Sequence, residues 1–142
     1  MTERGVEPPG GDPPPTSGWL GEGEPLDLTA LAHQICARYR EEFPDEAERY
    51  GDSGIAWCVH DNQHLLNWAA EATNGYVDMQ REVAWLASVL EARNFPIIRL
   101  ARNLDIGAEV VRVEVTGTGG AQLADVLSGA AAFVRSRDTF LD

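Results

Sequence analysis

From Leu28 onward, apolar residues recur at intervals of three and four, in successive stretches that end at Phe140. That spacing puts them on one face of an α-helix, which turns about 100° per residue. The first stretch uses Leu28, Leu31, Ile35 and Phe43, with Ala32 and Tyr39 beside them. Asp27 stands before it as an N-cap. Pro44 breaks the pattern, residues 45–48 can restart a turn behind the proline, and Gly51 ends that turn. The second helix is predicted from about 53 to 73 and stops at Asn74-Gly75. The third follows Asp78, buries Met79, Val83, Leu86 and Leu90, and ends near Asn94. Pro96 opens the fourth, with Ile97, Leu100, Ala101, Leu104, Ala108 and Val111 along its stripe. Residues 111–115 alternate and are β-branched, but the preceding periodicity favours helix. Residues 116–120 read as a glycine-rich loop. The last helix is predicted over 121–140, with Leu123, Val126, Leu127, Ala130, Phe133 and Val134 inward. The expected fold is all-α, a bundle of four to five antiparallel helices with short connections, and no convincing pair of strands.

The second helix is unusual. Trp57, His60, Asp61, His64 and Trp68 share one sector of it. Ile55, Val59, Leu66 and Ala69 point the other way. One face is ordinary core, and the other is aromatic and polar, unlike a solvated helix surface. Another helix, a second subunit or a ligand can cover the two indoles. Aromatic residues dominate interfaces because each ring buries a large area and keeps a polar handle. The reading taken from the sequence is therefore a homodimer with this face in or beside its interface.

Residues 1–25 carry six of the eight prolines and six of the fourteen glycines. Such a segment has little apolar surface to offset its ordering entropy, so a disordered tail is expected there, with the bundle domain at 26–142. Trp19-Leu20 is its one apolar pair, a possible docking point. The tail has neither the basic start nor the apolar run of a signal peptide. Every apolar run is soon interrupted by charge, so no membrane span and a cytoplasmic location are expected.

The net charge is −12, which disfavours nucleic acid as a partner. All eleven basic residues are arginine. That excludes Schiff-base chemistry and a phosphate-loop lysine. Cys36 and Cys58 fall in helical apolar patterns and read as buried small hydrophobes, with a metal or redox pair as the alternative.

His60 and His64, four residues apart, could reach one metal ion, with Asp61 and Glu71 near the same face and His33 as the remaining histidine. Residue 61 is Asp, so the pattern is not that of a zinc protease helix. A transition metal or haem held by His60 and His64 is the alternative to no cofactor. No nucleophile has a base in reach, and the paired glutamates read as solvated helix surface. A non-enzymatic protein is predicted.

Residues 39–44 (Tyr-Arg-Glu-Glu-Phe-Pro), the Trp/His helix, and residues 92–102 (Ala-Arg-Asn-Phe-Pro-Ile-Ile-Arg-Leu-Ala-Arg) together resemble the helical N-terminal domains of RsbR/RsbU-type stress-response regulators of bacteria. The resemblance covers about residues 27 to 140. It implies a four- or five-helix bundle that dimerises and senses a signal or binds a separately encoded partner protein, without catalysis. The chain departs from that group in its His and Trp content, in Asn94 where glycine is expected, and in carrying no attached output domain.

Overall fold

The computed structural model describes residues 13–21, 23 and 25–141. Among them are five helices: α1 (Leu28–Glu42), α2 (Asp45–Thr73), α3 (Met79–Ala92), α4 (Ile97–Glu114) and α5 (Gly117–Arg135). The all-α bundle is as the periodicity predicts. Asp27 caps α1, its side chain accepting from the Ala30 N–H at 3.0 Å. Asp78 caps α3 by accepting from Gln80 at 3.0 Å and Arg81 at 3.4 Å. Each cap satisfies amides that the first helical turn leaves unpaired. Gly51 (φ 60°, ψ −149°) breaks α2 into a short first segment and a long second one. Only glycine takes that conformation without strain. Residues 111–114 are helical, the end of α4.

Leu28, Ile35, Leu65, Leu66, Leu86, Leu104, Ile106, Leu123 and Leu127 are fully buried and form the centre. α5 lies along α4 and also meets α2 and α3, while α1 packs on α2 and α4. The predicted loop at 116–120 is corrected. Only Val115 and Thr116 separate α4 from α5, and Gly117 (φ 86°) begins the last helix. The glycines there serve a tight helical corner. The last helix ends at Arg135 rather than near 140, although Phe140 folds back into the core.

Residues 13–21, within the segment that composition assigns to the tail, are held against the bundle. Residues 1–12 lie outside the described residues. Two-residue strands β1 (Ser17–Gly18) and β2 (Leu26–Asp27) pair antiparallel, Ser17 opposite Asp27. Two amide side chains of α2 and its C-cap hold this strap. Gln63 Nε2 donates to the Pro15 carbonyl at 3.2 Å and to Thr29 Oγ1 at 3.1 Å. Asn74 Nδ2 donates to the Trp19 carbonyl at 2.8 Å, and its Oδ1 accepts from the Gly21 N–H at 2.9 Å. Leu20 packs against the core while Trp19 stays about half exposed. Composition alone missed this, because the strap is fixed by hydrogen bonds from the bundle rather than by its own apolar content. No helix among the described residues is long and apolar enough to cross a membrane.

Candidate functional site

A pocket of about 690 Å³, including its open mouth, lies where α1, α2, α3 and α4 converge. Tyr50, Trp57 and Leu65 of α2, Leu86 and Leu90 of α3, Phe95 and Leu100 supply an aromatic and aliphatic wall. Gly54 lies one turn beyond Tyr50, and a Cβ there would come within 2.6 Å of the Tyr50 Cβ. The glycine thus lets the Tyr50 side chain occupy the wall.

Besides the exposed Arg93, polar groups enter at three places. At one side, Tyr39 Oη donates to Glu46 at 2.8 Å, and Arg99 donates to Glu46 at 2.7 Å and to Asp45 at 3.2 Å. The guanidinium also lies over the Phe43 ring, 4.4 Å from its centroid. Burial, and then the Glu46 carboxylate, push the Tyr39 phenol far above its ordinary value, so it stays a donor. At the floor, the Asn62 and Asn103 amides pair reciprocally at 3.0 and 2.8 Å. Both are buried, and Asn62 also donates to the Cys58 carbonyl at 2.9 Å. The third group is Asp61. Its side chain is 17% exposed, and its contact with His60 Nδ1 is long, 3.4 Å.

Burial raises the Asp61 carboxyl above its ordinary value, opposed by His60 and by the charge of Arg93. The folded chain therefore holds this proton to higher pH than the unfolded chain. The stability linked to it is complete below the unfolded pKa and is lost as pH rises through the folded one. Asp61→Asn removes that loss. In urea titrations the variant is expected to gain on the wild type as pH rises, with the higher midpoint at neutral pH. A lower midpoint there would contradict this account of Asp61.

Cys36 and Cys58 form a disulfide, with Cα atoms 6.0 Å apart, tying α1 to α2 behind the pocket wall. This corrects their reading as separate small hydrophobes. The sequence puts each cysteine on an inward face but does not show that the two faces meet. Asn62 Nδ2 lies 3.5 Å from both sulfurs.

The five residues singled out on α2 divide into two groups. Trp57 and Asp61 line the pocket, with Arg93 over the Trp57 ring at 5.7 Å. His60, His64 and Trp68 run along the adjacent strip. The His60 and His64 rings are 4.7 Å apart, His64 and Trp68 5.9 Å, and Trp68 meets Trp85 edge-on at 6.4 Å. Trp68 packs against the core, while Trp85 of α3 is 44% exposed. On the opposite side, Leu66 and Ala69 are buried as expected, but Ile55 is 38% exposed. The core side of α2 is turned toward Asn62 and Leu65. His33 sits exposed on α1. Among the described residues no three His, Cys, Asp or Glu side chains are grouped to hold a metal ion.

Tyr39, Glu46, Asn62, Arg99 and Asn103 were missed as site residues. The available signal was a polar residue inside an apolar stripe, as Asn62 is before Leu65 and Asn103 is between Leu100 and Leu104. Comparison with protein-family models, curated proteins and solved structures finds no match.

Proposed function

We propose that this chain is a non-enzymatic helical sensor module that binds a small organic molecule in the pocket where α1, α2, α3 and α4 converge. The observation that carries the reading is the pocket itself, a mostly apolar cleft with a few fixed polar groups, the usual make-up of a ligand site. Its polar groups are held by one another, so the site is ordered before a ligand arrives. The resemblance to RsbR/RsbU-type domains supports the same reading, since it implies sensing without catalysis.

A ligand that binds only the folded state raises its apparent stability. Thermal unfolding with a panel of small aromatic compounds is therefore the test. At saturation of a site, a shift of several degrees is expected in the wild type, from about 2–3 kcal/mol of linkage at a hundredfold excess over Kd. Leu90→Trp, which fills the pocket from α3, is expected to lose the shift. Equal shifts in both proteins, or none in either, would count against the pocket.

A second reading is homodimerisation through the His60–His64–Trp68 strip. It is favoured by the exposure of Trp85 beside Trp68. An exposed indole next to a second one is the kind of anchor that protein interfaces use. A separately encoded partner could occupy the same strip. A transition metal or haem bound by His60 and His64 remains the alternative for that pair and has no third convergent ligand among the described residues.

A further inference from the structure

We infer that the pocket selects an organic cation, an amine carried on an aromatic or aliphatic body. This rests on the pocket reading above. The wall fits the body: Trp57, Tyr50 and Phe95 present rings beside Leu86, Leu90 and Leu100. The polar groups then decide the charge. Glu46 is occupied by Tyr39 and Arg99 at 2.8 and 2.7 Å. The Asn62 and Asn103 amides are occupied by each other. Both bonds to Glu46 fall on Oε2, and Arg99 balances its charge, whereas the ion partner of Asp61 is His60. Its hydrogen bond to His60 is 3.4 Å long, beyond the ordinary range for a nitrogen donor. A carboxylate at 17% exposure with so weak a partner costs stability in the empty protein. An ammonium group would supply the missing charge-assisted hydrogen bonds. Ring faces beside it favour a cation further, and Trp57 already carries the Arg93 guanidinium on its face. The net charge of −12 draws cations toward the molecule as a whole.

Arg93 is the competing feature. It lines the same pocket and is exposed, so it could receive a ligand carboxylate instead. Three probes of one shape separate the possibilities: phenethylamine, phenethyl alcohol and phenylacetate, titrated calorimetrically into the whole chain. Phenethylamine is expected to bind about tenfold to a hundredfold more tightly than the alcohol, the span of a hydrogen bond to a charged group. In Asp61→Asn the amine should lose that advantage and approach the alcohol. Equal binding of amine and alcohol to the wild type would leave the pocket standing and overturn the selection for cations. Tightest binding of phenylacetate would overturn it in favour of Arg93. An amine preference that survives Asp61→Asn would overturn the role of Asp61. Binding by none of the three would remove the inference together with the pocket reading it rests on.

Discussion

Reduction of the Cys36–Cys58 disulfide is expected to lower the stability of the bundle by about 3 kcal/mol. The bond joins residues 22 apart in sequence. The chain-entropy estimate for a loop of that size is about 3 kcal/mol, since the cross-link restricts the unfolded chain more than the folded one. α1 and α2 pack together without it, with Leu28, Ile35, Leu65 and Leu66 buried in the shared core, so the reduced protein should fold but unfold at lower denaturant. Urea midpoints with and without dithiothreitol measure this. The double variant Cys36→Ala/Cys58→Ala should match the reduced protein and ignore the reductant. Identical midpoints for the oxidised and reduced wild type would mean that the sulfurs are not paired in solution. The outcome also bears on location. A cytosolic thiol pool keeps most disulfides reduced, whereas an oxidising compartment preserves them. The expectation of a cytoplasmic protein and the presence of this bond pull in opposite directions.

The second large effect is expected at the corner between α4 and α5. Gly120 is buried, and a Cβ built on it would stand 1.9 Å from the carbonyl oxygen and 2.7 Å from the carbonyl carbon of Val115. Both are backbone atoms, so no side chain can rotate away. The corner must open, and the pairing of α4 with α5 carries Leu104, Val111, Leu123 and Leu127. Gly120→Ala is expected to cost about 3 kcal/mol or more, at the upper end for overpacking. Gly129→Ala on the same helix is the control, because nothing lies within 4 Å of its added Cβ. There, replacing glycine by alanine in a helix interior should stabilise by about 0.5–1 kcal/mol. Equal midpoints for the two variants would contradict the close approach at Gly120.

The sequence makes the helices readable because caps and breakers act locally. Asp27, Asp78, Pro96 and the break at Gly51 each operate within a turn of their own position. The glycines at 117–120 misled for the opposite reason: the clash that requires Gly120 comes from Val115, across the corner. The strap at 13–21 was hidden because its partners, Gln63 and Asn74, lie about fifty residues away. The candidate site was half legible. Trp57 and Asp61 stand out on α2 by their chemistry. The groups that complete the pocket come from residues 39 to 103, and no spacing rule links Tyr39 to Arg99 or Asn62 to Asn103. The two cysteines show the same limit, since periodicity fixes the face of each helix but not which faces meet.

The four indole N–H groups offer the most direct test of the central claim, that the pocket and not the tryptophan strip is the functional site. Trp57 lines the pocket, Trp68 and Trp85 form the strip, and Trp19 sits on the strap. In nitrogen–proton correlation spectra, titration with phenethylamine is predicted to move the Trp57 indole signal and to leave those of Trp19 and Trp85 in place. A stationary Trp57 signal, with Trp85 shifting or broadening as protein concentration rises, would contradict the account and assign the function to the tryptophan strip.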